Sequence, residues 1–232
     1  MLERLAVFVE GNTEAIFVKK MIEQIAGKNN VRLEHRSIRG GVNAPRTIQI
    51  NATQPFNGQK YFVLIIDCGG DGLVKTRIME EHESFTQKGY SKIIGLRDVR
   101  PTFTFADIPM LEANLPKYIK TKLIPVEFIL SIMEIEAWFL AESSHFPKIN
   151  PAITVEAIKS LLGFDPENED MEQRFHPAED LNNCYKIGGV AYRKKNAART
   201  VNRLDFTLMY LEFGKKFDYL GRFLKSIDDF FS

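Results

Sequence analysis

The chain begins with a strand–turn–helix pattern, LAVFVEGNTEAIF at residues 5–17. Leu5 to Val9 form a continuous apolar run, which is typical of a strand buried on both faces. Gly11 permits a tight turn, and apolar residues then recur at a 3.6-residue spacing as far as Gly27. We therefore predict a strand, a turn and a helix, the opening half of a parallel α/β unit.

The same alternation of strand and helix continues to about residue 142. Further strands are predicted at Val31 to Ile38, Tyr61 to Ile66, Lys92 to Leu96 and Val126 to Met133. Further helices are predicted at Leu73 to Lys88, Ile108 to Lys122 and Glu134 to Glu142. The segment 39–58 shows only a weak pattern. Because several strands are apolar on both faces, we predict an α/β fold with a Rossmann-like, mostly parallel sheet flanked by helices.

Helical periodicity dominates from about residue 150 onward. It predicts helices at Val155 to Leu162, Asn196 to Tyr210 and Phe213 to Phe231. We therefore divide the chain into an α/β domain at 1–148 and a helical C-terminal subdomain at 149–232. The last of these helices has a continuous apolar stripe, which indicates core packing or, as the alternative, a homodimer seam or partner-docking face.

Composition excludes several classes of protein. The 232 residues include 31 Lys and Arg against 30 Asp and Glu, and 44% are hydrophobic, which excludes disordered and collagen-like chains. No apolar run approaches the roughly 18 residues of a membrane helix, and the start does not resemble a secretory signal, so we expect a cytoplasmic protein without membrane contact. Cys68 and Cys184, with no CxxC pattern, argue against a thiolate zinc site.

Acidic residues follow four of the predicted strands. They are Glu10, Asp67, Asp98 and Glu134. The carboxyl ends of parallel strands share one edge, where open α/β sheets bind their ligands. Carboxylates in such a group suit Mg²⁺ or Mn²⁺, which prefer oxygen ligands. The alternative is that each acid caps or begins a helix, where it stabilises unpaired backbone N–H groups.

One basic segment is a candidate nucleic-acid interface. Its members, which have no acid among them, are Arg193, Lys194, Lys195, Arg199 and Arg203. Lys195, Arg199 and Arg203 are four residues apart and would lie on one helical face. Such a stripe can follow the phosphates of DNA or RNA without reading bases. The alternative is a solvated helix face. Because the net charge is only +1, contact with nucleic acid requires a local patch of this kind.

The EGNTE stretch at residues 10–14 resembles the EGxTE opening of Toprim domains, especially those of OLD-type nucleases and small RloB-like bacterial proteins. Asp67 at a strand end and MEIEAWF at residues 133–139 are similar to further elements of those families. The resemblance covers roughly residues 4–142. It implies a Toprim fold and a nuclease that hydrolyses phosphodiester bonds with Mg²⁺ or Mn²⁺, in bacterial defence against phage.

The resemblance also implies roles for individual residues. Glu10 and Glu14 would be the catalytic acids, with Glu10 acting in acid/base chemistry or in metal binding. The metal ligands would come from a larger set, Asp67, Asp71, Asp98, Glu134 and Glu136. The Toprim DxD pattern would place an acid at position 69, but the sequence has Gly69 there. Asp71 or Asp98 would then supply the ligand, or the site binds metal differently or not at all. Glu134 lies nearest the strand end and is preferred to Glu136.

Two other functions stay open. The first is a non-catalytic module, with a degenerate Toprim site, that binds nucleic acid or another protein. The second is an acid-lined enzyme that acts on a small phosphorylated molecule. The chain has no Walker A motif and no GxGxxG after a strand, so we do not expect it to hydrolyse nucleotides itself. An ATPase partner protein, common beside OLD-type Toprim modules, is compatible with this expectation.

Overall fold

The computed structural model describes residues 2–41, 44–70 and 72–232. Within them, six strands form one sheet. The strands are β1 (Glu3–Val9), β2 (Val31–Arg39), β3 (Thr47–Thr53), β4 (Tyr61–Asp67), β5 (Lys92–Asp98) and β6 (Val126–Ser131). Their order in the sheet is β3-β2-β4-β1-β5-β6. Among these strands of the described ranges, only β3 runs antiparallel to its neighbour, so the predicted mostly parallel α/β sheet is confirmed.

Helices flank the sheet and make up the C-terminal part of the chain. The helices are α1 (Asn12–Ala26), α2 (Leu73–Gln87), α3 (Ile108–Asn114), α4 (Glu136–Ala141), α5 (Phe146–Ile149), α6 (Val155–Leu162), α7 (Pro177–Ile187), α8 (Ala197–Val201), α9 (Phe206–Leu208), α10 (Gly214–Lys216) and α11 (Asp218–Phe231). In the described part of the chain, no helix has the length and apolar character needed to cross a membrane.

The two faces of the sheet belong to two apolar clusters. Along β1, Leu5, Val7 and Val9 enter one cluster, while Ala6 and Phe8 enter the other. This alternation follows from the two-residue period of a strand. Every residue of the central strand β4 is buried. Both faces of the sheet are therefore covered, as a continuous apolar strand requires.

The C-terminal helices share a core with the α/β part of the chain. Phe17 of α1 lies 5.6 Å, between ring centroids, from Trp138 of α4 and 6.4 Å from Phe223 of α11. Trp138 and Phe223 are stacked 5.9 Å apart. All three side chains are fully buried, and burial of a large apolar side chain stabilises the folded state by roughly 1.5–3 kcal/mol. One continuous apolar cluster thus includes residues on both sides of the predicted boundary at 148.

The weakly patterned segment 39–58 contains a strand that the sequence did not reveal. This strand, β3, pairs with β2 in antiparallel register, with Ile38 opposite Ile48. Every residue of β3 is exposed, and Ile48 and Ile50 are 54% and 59% exposed. Ile48, Ile50 and Ala52 alternate with polar residues, as a strand allows, but this short alternation lies within a segment rich in Gly, Asn and Pro, and neither face of β3 is buried.

Two of the predicted elements are shorter than expected. The helix expected at 108–122 ends at Asn114, shortly before Pro116, and Tyr118 has a φ of 69°. Proline disfavours helical geometry in the residue before it, and a positive φ is incompatible with a helix. The strand expected to reach Met133 ends at Ser131, because Met133 has a φ of 57° and turns the chain into α4.

The two helices expected at the C-terminus are also interrupted. The helix expected at 196–210 is broken after α8, and the side chain of Asp205 accepts a hydrogen bond from Leu208 N to begin α9. The helix expected at 213–231 is interrupted at Phe217, whose extended backbone angles separate α10 from α11. A capping residue and an extended residue thus divide a periodic pattern that reads as continuous helix.

Candidate active site

An open cleft lies at the carboxyl edge of the sheet. Glu10 follows β1, Asp67 ends β4 and Asp98 ends β5, so strand order brings the three acids to one place. The cleft encloses about 320 Å³. Its walls are formed by Glu10, Gly11, Asn12, Thr13, Glu14, Arg39, Asp67, Gly69, Gly70, Asp98, Lys194 and Lys195. Four predicted acids and two predicted basic residues therefore face the same space.

Asp67 is held by an arginine that the sequence analysis did not identify. Arg39 donates from Nη1 to Oδ1 at 2.9 Å and from Nη2 to Oδ2 at 2.6 Å. Such a bidentate pair is among the strongest charged hydrogen bonds in proteins. Arg39 ends β2, the neighbour of β4, and only the strand order could have revealed it. Its side chain is 51% exposed, whereas that of Asp67 is 2% exposed.

Gly69 explains why the chain lacks an acid two residues after Asp67. Its φ is 87°, and a Cβ at this position would collide with the carbonyl oxygen of Ile38. The Gly69 N–H donates to Asp67 Oδ1 at 2.9 Å. The local backbone therefore excludes a side chain at position 69. For this reason the loop cannot carry the second acid of the DxD pattern.

Glu10 and Glu14 are oriented by backbone N–H groups. Glu10 Oε1 accepts from Gly72 N at 3.0 Å and lies 3.7 Å from Arg97 Nε. Glu14 Oε2 accepts from Gly11 N at 2.9 Å at the start of α1. Both carboxylates are 4% exposed. Each carboxylate is thus held in the wall of the cleft.

Burial raises the pKa values of two of the acids that line the cleft. Burial, followed by the negative charge of Glu136, raises the pKa of Glu14 to about 7. Burial and the charge of Glu14 raise the pKa of Asp98 well above its ordinary value, although Ser131 Oγ and Ile135 N donate hydrogen bonds to Oδ1. Carboxylates placed together out of water disfavour their own ionisation.

Lys194 lies among the carboxylates on the other side of the cleft. Its Nζ is 3.2 Å from Glu134 Oε1, 3.6 Å from Glu136 Oε2 and 3.9 Å from Asp98 Oδ2. Burial alone would lower the pKa of Lys194, but the surrounding acids outweigh it and raise the pKa. Among the described residues, Lys194 is the one cation within ion-pair distance of these three acids.

Glu134 and Glu136 both belong to this cluster, although neither lines the open cleft. Glu136 is fully buried, and its Oε1 accepts from the Tyr192 hydroxyl at 2.7 Å. Its Oε2 has no hydrogen-bond donor among the described residues. Burial is the main cause of the raised pKa of Glu136. Glu134 Oε2 accepts from Ala178 N at 3.0 Å near the start of α7.

The predicted basic stripe does not lie on one helical face. Lys195 precedes α8 and Arg203 follows it. Lys194 and Lys195 line the cleft, whereas Arg193 and Arg199 are exposed outside its wall. Arg203 donates to the carbonyl oxygens of Lys148 at 2.9 Å and Arg199 at 2.8 Å, and it lines a separate pocket. The expectation of a continuous stripe was therefore wrong, because the helix is only one turn long.

The donors of the cluster are of the type that Mg²⁺ and Mn²⁺ prefer, since all are carboxylate oxygens. Within the described ranges, no hydrogen-bond donor reaches the buried Oε2 of Glu136, and Lys194 Nζ lies 3.6 Å from it. As the side chains lie, however, no three His, Cys, Asp or Glu residues within the described ranges surround a common metal position. Asp71, one of the predicted ligands, lies outside the described residues.

No family model, curated protein or solved structure matches this chain. The fold and the cleft nevertheless define its class: an α/β protein with an acid-lined cleft at the carboxyl edge of a mostly parallel sheet, partly neutralised by arginine and lysine side chains.

Proposed function

We propose that the cleft hydrolyses phosphodiester bonds of nucleic acid with Mg²⁺ or Mn²⁺. One observation carries this proposal: Glu10, Glu14, Asp67 and Asp98 line the same open cleft as Lys195. Acids suited to a hard cation and a lysine suited to phosphate thus face one space. The resemblance of EGNTE at residues 10–14 to Toprim domains supports the same reaction.

The basic residues of the cleft supply the substrate contacts. Lys195 is exposed at the cleft wall and, among the described residues, has no acidic partner within ion-pair distance. Its ammonium is therefore available to a phosphate oxygen. Such a contact follows the backbone of DNA or RNA and does not select bases. The open shape of the cleft is compatible with a polymer that passes through it.

Asp67 and Asp98 are the residues that would hold the cation, with Glu10 beside them. A divalent cation bound there supplies Lewis-acid stabilisation of the charge that develops on phosphoryl oxygens. In the structure Arg39 donates hydrogen bonds to both carboxylate oxygens of Asp67. Asp67 can therefore coordinate a cation only after the Arg39 side chain has moved. Because the side chain of Arg39 is half exposed, it can move into the solvent.

The remaining acids are the groups for proton transfer in this reaction. Glu14 has a pKa of about 7, which allows it to accept and release a proton near neutral pH. The Gly72 N–H holds Glu10 by one oxygen and fixes its orientation. Lys194 forms ion pairs with Glu134 and Glu136 and thereby reduces the electrostatic repulsion among the acids. These groups would therefore position and activate a water molecule beside the bound phosphate.

The test is cleavage of end-labelled single- and double-stranded DNA and RNA with Mn²⁺ or Mg²⁺, and with EDTA. We expect cleavage that needs the cation and that falls by about 10²-fold or more in Glu10→Gln. Glu83→Gln is the matched control, because Glu83 is exposed and its one ion pair among the described residues is with Lys120. Cleavage that survives in Glu10→Gln would contradict the proposal.

A second candidate is a module that binds nucleic acid without cleaving it. Two observations favour it: Arg39 already neutralises Asp67, and Lys194 occupies the space among the other acids. This candidate predicts tight binding of DNA or RNA in EDTA and no cleavage with any divalent cation. Fluorescence anisotropy with the oligonucleotides of the cleavage assay distinguishes the two.

A further inference from the structure

A second pocket lies on the face of the sheet that α2 covers, and none of the described residues belongs to the walls of both this pocket and the acid-lined cleft. It encloses about 320 Å³ between α2 and strands β2, β3 and β4. Five of its wall residues are cationic: Arg4, Arg32, Arg36, Arg46 and Lys88. The one acid in the wall, among the described residues, is Glu81.

Strand register places two of these arginines on either side of an aromatic ring. Phe62 of β4 is paired with Arg4 on β1 and with Arg32 on β2. The guanidinium carbon of Arg32 lies 5.5 Å from the centre of the Phe62 ring. Arg4 Nη1 donates to the carbonyl oxygen of Lys88 at 3.0 Å, which brings a third cationic residue beside them.

Three of the five cations are not neutralised by protein acids. Arg36 pairs with Glu34 at 2.5 Å, and Arg46 pairs with Glu80 and Glu81. Within the described ranges, the other three have no carboxylate within ion-pair distance. They are Arg4, Arg32 and Lys88. The end of the pocket near Phe62 therefore has a surplus of positive charge.

The rest of the wall is apolar and aromatic. Leu64 and Ile66 of β4, together with Ile38 of β2, form the buried part. Ile48 of β3 closes the outer side and is 54% exposed. The volume is at the small end of the range for small-molecule sites, roughly 300–1,000 Å³. The pocket thus suits a small ligand with an anionic group and a ring, because aromatic rings and guanidinium planes both stack on bases.

We propose that this pocket binds a nucleoside monophosphate, with the phosphate held by Arg4, Arg32 and Lys88 and the base against the apolar wall beside Phe62. The proposal is independent of the function of the acid-lined cleft. It gives the protein a second site, for a small ligand, on the opposite face of the sheet from α1.

The test is calorimetric titration of the four common nucleoside monophosphates in EDTA, with adenosine and inorganic phosphate as partial ligands. We expect at least one monophosphate to bind more tightly than either partial ligand. Arg4→Gln/Arg32→Gln, checked for folding by circular dichroism, should weaken this binding about tenfold or more, as expected for the loss of charged hydrogen bonds.

Two further variants test whether the ligand occupies this pocket or the acid-lined cleft. Ile48→Trp fills the pocket from an exposed position and should abolish binding with every charge kept. Lys195→Gln changes the acid-lined cleft and should leave binding unchanged. The proposal is overturned if no monophosphate binds at about 1 mM, if inorganic phosphate binds as tightly as the best monophosphate, or if Lys195→Gln rather than the arginine variant removes binding.

Discussion

Lys194 Nζ lies 3.6 Å from Oε2 of Glu136, a fully buried oxygen that no hydrogen-bond donor among the described residues reaches. The same ammonium is 3.2 Å from Glu134 Oε1. One half-exposed lysine therefore contacts several acids whose mutual repulsion would otherwise oppose folding. This contact is the main electrostatic feature of the acidic cluster.

Replacing Lys194 by Met should destabilise the protein at neutral pH. A fully buried pair costs about 3–5 kcal/mol when one partner is removed, and the 47% exposure of Lys194 reduces our expectation to about 1–2 kcal/mol. Loss of the ammonium also raises the pKa values of Glu136 and Asp98 further. The loss of stability should therefore shrink as the pH falls and the acids become protonated. Urea unfolding at several pH values measures it.

Lys195→Met is the matched control for this change. Lys195 is the next residue, is exposed, and pairs with none of the described acids. Its removal should alter the free energy of unfolding by less than about 0.5 kcal/mol. Equal effects of the two substitutions would show that Lys194 does not stabilise the acidic cluster.

Lys195 should instead contribute to nucleic-acid binding. We expect Lys195→Gln to weaken binding of single-stranded DNA or RNA and to reduce the salt slope by about 1, because one fewer counterion is released. Arg203→Gln is the comparison, since Arg203 lines a separate pocket and donates to backbone carbonyls. Anisotropy titrations over a range of salt concentrations measure the slope. A larger effect of Arg203→Gln would place the interface elsewhere.

His145 should make the protein less stable in mild acid. It is fully buried, its Nδ1 donates to the carbonyl oxygen of Glu142, and burial lowers its pKa from 6.5 to about 4. Below about pH 6.5, His145 therefore binds a proton in the unfolded chain, whereas in the folded protein it stays neutral until the pH approaches 4. Stability that is present above about pH 6.5 is lost as the pH falls toward 4, by about 2 kcal/mol between about pH 7 and about pH 5.

A His145→Gln variant tests this dependence. Glutamine keeps a donor for the carbonyl oxygen of Glu142 and has no proton to gain. Glu142, whose pKa is raised by burial, titrates in the opposite sense, and Lys148 also acts on His145. The informative quantity is therefore the difference in pH slope between wild type and variant. The two slopes should differ by the histidine contribution, and identical slopes would mean that folding does not lower the pKa of His145.

Most of the sheet could be predicted from the sequence, because buried strands carry continuous apolar runs. The strand predicted at Tyr61 to Ile66 is observed one residue longer, to Asp67. The strand predicted at Lys92 to Leu96 is observed two residues longer, to Asp98. The exposed strand β3 was not predicted, because its alternation of Ile48, Ile50 and Ala52 with polar residues is short and lies between stretches rich in Gly, Asn and Pro. Long helices were overestimated where a single residue, such as Phe217, leaves helical geometry within a periodic sequence.

The candidate site was predictable in part. Acids after strands share an edge in any parallel sheet, and Glu10, Asp67 and Asp98 do line one cleft. Arg39 was missed because its place beside Asp67 depends on β2 being the neighbour of β4. Lys194 was identified as a phosphate contact, yet its contacts with Glu134 and Glu136 join distant parts of the chain that no local pattern connects.

The proposed hydrolysis requires the acidic cluster to bind a divalent cation. Calorimetric titration of Mn²⁺ into the wild-type protein and a folded Glu10→Gln/Asp67→Asn variant measures this binding, with and without a nuclease-resistant oligonucleotide to supply phosphate ligands. We predict that the wild type binds Mn²⁺ and the variant does not. If the wild type binds none in either condition, or if the variant binds Mn²⁺ equally well, this cleft is not a metal-dependent active site.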